Sequence, residues 1–161
     1  MGEVLRLRAR HEPARLRFPI EITVAGSSGL GWFSAGQSRA ELVRRVNRVA
    51  AGYRRFGFRF DKVLRFPQSH TYYLAPREER QFRDFQRRLS DSGLRFAPTP
   101  FEYVPHCTIV VLSRTPTRPA RKEIESCPIP ASRIEVLSVS LYEVDTAAQI
   151  CRQGERFLLG K

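Results

Sequence analysis

Phe101-Glu-Tyr-Val-Pro-His-Cys-Thr-Ile109, continued by Val110-Val-Leu112, is the stretch on which the reading of this 161-residue chain turns. The apolar run from Cys107 to Leu112 has the composition of a buried strand, approached through a proline-containing segment. Side chains two apart on a strand share a face, so the spacing directs His106 and Thr108 one way and Cys107 and Ile109 into the core. An imidazole moves protons near neutral pH, and a neighbouring hydroxyl can donate a hydrogen bond to a phosphoryl oxygen. The pair therefore suits phosphate-ester chemistry. The plainer use of the same residues is a histidine at a sheet rim bonded to its neighbour.

Working outward, Phe18-Pro-Ile-Glu-Ile-Thr-Val24 alternates Ile20, Ile22 and Val24 with Glu21 and Thr23, which predicts a strand with one buried face. Ala25-Gly-Ser-Ser-Gly-Leu-Gly31 follows as a loop, and no Gly-Lys-Ser/Thr makes it a phosphate cradle. Ser38-Arg-Ala-Glu41 has capping-box spacing and opens a helix whose apolar stripe is Leu42, Val43, Val46, Val49, Ala50 and Tyr53. Phe56, Phe58 and Phe60 alternate, and Val63 to Phe66 and His70 to Ala75 read as an adjacent antiparallel pair. A second helix carries Phe82, Phe85 and Leu89 and stops at Gly93. A short helix around Arg121 to Glu125 and two closing strands, near 134–144 and 150–159, complete the chain. The order predicts an α+β fold of two related halves. Residues 1–17 read as a basic leader, expected to be flexible, and 18–161 as one two-lobed domain.

The net charge of +12 comes from 28 Lys and Arg, only three of them Lys, and draws polyanions to the surface; RNA is one candidate. A biased arginine usage on a solvated surface accounts for the charge equally well. Cys107, Cys127 and Cys151 are odd in number and lack metal-ligand spacing, so they read as free thiols of a cytoplasmic protein, with no metal and no cofactor. No window supplies the roughly 18 apolar residues of a membrane span.

The Pro-His-Cys-Thr-Ile run, entered from an aromatic loop, resembles the second signature of the 2H phosphoesterase superfamily, the 2′,5′-RNA-ligase-like cyclic phosphodiesterases. The helix, Phe-rich strand, Tyr-Tyr-Leu strand and Gly-ended helix before it are similar to that family, as are Val139-Ser-Leu-Tyr-Glu143 and Glu155-Arg-Phe-Leu-Leu159 after it. The resemblance implies a two-lobed fold of antiparallel sheets with flanking helices and two facing His-x-Thr motifs. Glu21, 85 positions before His106, stands where the first histidine belongs, so that motif is Glu-x-Thr.

What the resemblance implies for the site is metal-independent chemistry on a 2′,3′-cyclic phosphate or a short RNA end. His106 and Glu21 are the candidate acid and base, with Thr108 and Thr23 as phosphate holders. Tyr103 and Arg114 are candidate ligand contacts. The rival reading is an RNA- or nucleotide-binding module that kept the cleft and lost the reaction. Few residues precede Glu21 for the family's first strand-helix unit, and its loss would leave a sheet edge for a second copy to cover as a homodimer. His70 reads as a strand-end surface residue.

Overall fold

The computed structural model describes residues 1–145, 147–148 and 150–161. Helix α1 (Gly2–His11) opens the chain and is followed by a 3-10 turn, Pro13–Arg17. Then come α2 (Arg39–Ala51), β1 (Phe56–Phe58), β2 (Phe60–Arg65), β3 (Thr71–Pro76) and α3 (Arg80–Ser90). The order closes with β4 (Cys107–Val111), α4 (Arg118–Glu125), β5 (Ile134–Val136), β6 (Ser138–Asp145) and β7 (Ile150–Leu158). Among the described residues three antiparallel sheets result: β2-β3-β4, β1-β5 and β6-β7. Among the described residues no helix is long and apolar enough to cross a membrane.

Two apolar cores correspond to two lobes. One gathers Val4 and Leu7 of α1, Ile124 of α4 and the inward face of the β2-β3-β4 sheet, including Tyr72, Leu74, Cys107 and Ile109. The other joins Val46 and Ala50 of α2, Phe85 and Leu89 of α3, and Phe157 of β7. Val24, Phe56 and Val136 pack against both and seal the junction. Cys107 and Ile109 are 1% and 0% exposed, so β4 faces the way its alternation predicts.

The N-terminal segment differs from the flexible leader expected of it. Val4, Leu7, Arg8 and His11 follow i, i+3, i+4, i+7 spacing, the inward stripe of a helix. Arg8 is 1% exposed, and its guanidinium donates to five carbonyls. Nε reaches Ile109 at 3.1 Å, Nη2 reaches Thr108 at 2.7 Å, and Nη1 reaches Phe18, Pro19 and Arg15 at 2.8, 3.3 and 3.4 Å. Consecutive strand carbonyls normally point to opposite sides. A bulge in β4 breaks that rule: Tyr73 pairs with Thr108 and Tyr72 with Val110, leaving Ile109 over. The carbonyls of Thr108 and Ile109 thus both meet the guanidinium. Glu12 continues the edge by accepting the Val111 N–H at 2.6 Å. The N-terminal helix therefore satisfies the edge of β4 with side chains.

This explains a second difference. Residues 19–24 were expected as a strand, and they join no sheet. Their alternation survives, with Ile20, Ile22 and Val24 against the core. The carbonyls of Phe18 and Pro19 bond to Arg8 instead of to a neighbouring strand, and Pro19 has no N–H to offer.

The loop after this segment runs antiparallel to the approach to β4. Gly29, Ala97 and Ser34 donate to the carbonyls of Phe101, Trp32 and Arg95 at 2.8, 2.7 and 3.0 Å. Gly31 has φ 81°, and a Cβ there would collide with the Ala97 carbonyl, so this crossing requires glycine. The exit of the Glu21 segment and the entrance to the His106 strand are thereby fixed to one another.

Arg8→Met should lower stability in urea unfolding by at least about 3 kcal/mol, because it strands several buried carbonyls. Arg8→Lys should recover only part of the loss, since one ammonium cannot span carbonyls from three segments. A loss below about 1 kcal/mol for Arg8→Met would show that water takes over these bonds.

Candidate active site

His106 immediately precedes β4, and its ring lies on the face turned away from Cys107. The ring packs edge-on against Phe66 and Tyr73, with centroids 5.0 and 5.2 Å apart. Phe66 and Tyr73 are themselves stacked at 4.4 Å, so the β2-β3 hairpin supplies an aromatic wall. His106 Nδ1 lies 2.6 Å from the carbonyl oxygen of Val104. A carbonyl only accepts, so Nδ1 carries the proton and donates it, which leaves the Nε2 lone pair as the basic atom. Burial is the main cause that holds the His106 pKa below the ordinary histidine value. The Val104 carbonyl opposes that shift, and the charge of Arg15 adds to it. The residue is thus a neutral imidazole of defined tautomer at neutral pH.

Thr108 is half-buried on the same side, opposite Tyr73 across the sheet. Its backbone carbonyl is held by Arg8, which fixes the strand at the motif. His106 and Thr108 are therefore brought together as their spacing predicts.

The Glu21 half has other surroundings. Burial raises the Glu21 pKa above the ordinary carboxylate value, while the hydroxyl of Tyr142 and the charge of Arg8 pull it back. Tyr142 responds in kind: burial, then the neighbouring Glu21 charge, pushes its pKa up to about 12. The Cys107 thiol is pushed up to about 11, chiefly by burial. No hydrogen bond or ion pair joins Glu21 to His106 among the described residues. Thr23 is exposed.

Two further candidates are also placed. Tyr103 is 6% exposed, inside the first core, and Arg83 donates to its carbonyl at 2.9 Å while lying over its ring. Its phenol is turned inward, where the hydroxyl has no partner among the described residues. Arg114 is exposed beyond β4. The sequence reading missed Arg8, Arg15 and Tyr142. The helical spacing of Val4, Leu7 and Arg8 was a usable signal for the first; nothing local marks the other two.

A family model described as the 2′-5′ RNA ligase superfamily matches residues 3–148. The chain belongs to this superfamily. Solved structures agree on the fold of the superfamily member: Escherichia coli LigT in apo form aligns with TM-score 0.62 at 21% identity, covering 99% of this chain and 90% of that one. LigT complexed with 3′-AMP aligns with TM-score 0.62 and 21% identity, over 99% and 91%. TT0787 of Thermus thermophilus aligns with TM-score 0.66 at 14% identity, over 99% and 92%. No curated protein matches the chain. The 2H phosphoesterase fold expected from the Pro-His-Cys-Thr run is thereby shown, with α1 and the 3-10 turn preceding the Glu21 segment.

The raised Glu21 pKa has a thermodynamic consequence. The folded state holds this proton to higher pH than the unfolded chain, so folding loses stability as pH rises from the unfolded value of about 4.5. Glu21→Gln keeps the shape and removes the charge. Its melting temperature should exceed the wild type at neutral pH, and the gap should close below the unfolded value. Equal melting curves at neutral pH would mean that Tyr142 and Arg8 fully offset the burial.

Proposed function

We propose that this superfamily member is a metal-independent phosphodiesterase that opens 2′,3′-cyclic phosphates or acts on short RNA ends. The observation that carries the reading is the fixed tautomer of His106, whose Nδ1 is committed to Val104, which leaves Nε2 as the basic atom. In this mechanism Nε2 takes a proton from the attacking water as its oxygen bonds to phosphorus. Thr108, with Thr23 from the other half, donates to the non-bridging oxygens. The bond from phosphorus to one ribose oxygen breaks, and that oxygen receives a proton from Glu21, whose pKa burial raises. The crystal structures of LigT with 3′-AMP, NADP+ and ATP support a nucleotide-like ligand for this fold.

The reading places the protein in the cytoplasm, where Cys107, Cys127 and Cys151 stay as free thiols. A homodimer, if formed through a sheet edge, would use β2, the outer strand of its sheet, because the β4 edge is taken by Arg8 and Glu12. A purely monomeric profile in sedimentation velocity would remove that part.

Hydrolysis of a 2′,3′-cyclic nucleotide in the presence of EDTA tests the reaction. His106→Ala should lower kcat by about 10²- to 10⁴-fold, the range for loss of a general base. The acid limb of kcat/KM should fall below the ordinary histidine value of 6.5, since His106 stays neutral to lower pH. Turnover that survives His106→Ala, or that EDTA abolishes, would overturn the proposal. Activity that appears only after Glu21→His would show that the first motif has lost its proton-transfer role.

A further inference from the structure

Arg15, in the 3-10 turn, is held at both its backbone and its side chain. Its carbonyl is one of the acceptors around Arg8, reached by Nη1 at 3.4 Å. Its side chain lies at the edge of β4, where Nε donates at 3.2 Å to Glu12 Oε2, the atom that also accepts the Val111 N–H at 2.6 Å. The guanidinium carbon rests 5.4 Å from the centre of the Phe18 ring. Its side chain is 20% exposed, against 31% or more for every other ion-paired arginine among the described residues. This is not one more solvated surface charge.

The sheet register shows what this edge borders. Thr108 pairs with Tyr73 and Val111 with Thr71, and Thr71 and Tyr73, two apart on β3, share a face. Val111 therefore lies on the face of Thr108 and His106, the side turned away from Cys107. The Glu12 oxygen joins Arg15 to the edge of β4 at Val111. Among the described residues, the charge of Arg15 is the one that acts on the His106 imidazole.

The candidate chemistry needs a cation that its other groups do not supply. A phosphodiester is an anion, and its non-bridging oxygens gain charge as water attacks. Thr108 and Thr23 are neutral donors, His106 is a neutral imidazole, and Glu21 adds negative charge whenever it ionises. Arg8 is a cation, but its guanidinium is spent on five carbonyls. Both Nη groups of Arg15, by contrast, have no acceptor among the described residues. We propose that Arg15 is a phosphate-binding residue of this site, its two Nη groups donating to the non-bridging oxygens of the phosphate that reacts at His106. The inference rests on the phosphodiesterase reading and gives the substrate's charge a partner besides the threonines. A planar fork held at Nε by Glu12 keeps its outer pair of donors aimed in one direction, which a flexible ammonium would not.

The side chain can be changed without loosening the Arg8 anchor, which uses only the Arg15 carbonyl. The test compares the full-length wild type with Arg15→Gln and Arg15→Lys, each checked for folding by circular dichroism. Calorimetry measures binding of a nucleoside 3′-monophosphate, with the bare nucleoside as control, and needs no turnover. Arg15→Gln should bind the phosphorylated compound at least about tenfold more weakly, the scale of one hydrogen bond to a charged group, and the nucleoside equally well. In the free protein, NMR should show the His106 imidazole titrating at higher pH in Arg15→Gln, because a repelling cation has gone. Arg15→Lys should keep that titration nearer the wild type and recover part of the phosphate affinity. Equal phosphate affinity for the wild type and Arg15→Gln would overturn the inference, as would an unmoved His106 titration or an equal loss with the bare nucleoside. Phosphate binding that depends on Arg15, in a wild type that hydrolyses no cyclic phosphate, would uphold the inference and sink the reaction instead.

Discussion

A single buried guanidinium ties this protein together. Arg8 collects carbonyls from the 3-10 turn, from the Phe18-Pro19 turn and from the bulge of β4, so three separate segments of chain have one anchor. Burial and the charge of Arg15 pull its pKa below the ordinary arginine value. A guanidinium nonetheless keeps its proton in proteins, and five aimed carbonyl oxygens replace much of the lost hydration. A planar fork of donors is needed here because the acceptors lie in different directions around it.

The candidate chemistry inherits its geometry from that anchor. Thr108 belongs to the bulge that Arg8 holds, and His106 is two residues before it. The imidazole is then fixed a second time, by Val104 on one side and by the Phe66 and Tyr73 rings on another. The Val104 bond selects one tautomer, and burial keeps the base neutral. Glu21 is held by a different set of neighbours, with Tyr142 foremost among the groups that favour its charged form. The two candidate groups are thus tuned in opposite senses. Burial makes the histidine a weaker base, and it makes the carboxyl a weaker acid.

Charge is distributed with the same division of labour. Much of the arginine excess is spent on structure: Arg8 in the core, Arg6 and Arg10 on Glu123, Arg39 bridging Glu143 and Glu155, and Arg45 on Glu41. These exposed pairs each contribute little, because solvent screens them.

The sequence by itself determined the helices α2 and α3, the β2-β3 hairpin, the His106-Thr108 face and the family. In each case the signal is a local period, of 3.6 or of 2, or a short motif, and burial of the marked residues follows from it. Only the tertiary structure decided three things. Residues 1–17 are part of the fold because Arg8 finds its acceptors about 100 positions away, which no local period can show. Residues 19–24 alternate like a strand yet join no sheet; the Phe18 and Pro19 carbonyls bond to Arg8, and the β4 edge is filled by Arg8 and Glu12. Tyr103, near the motif in sequence, is turned into the core, whereas Tyr142, distant in sequence, stands beside Glu21. Each depends on which surfaces meet after folding, and that is set by long-range hydrogen bonding and burial rather than by neighbours along the chain.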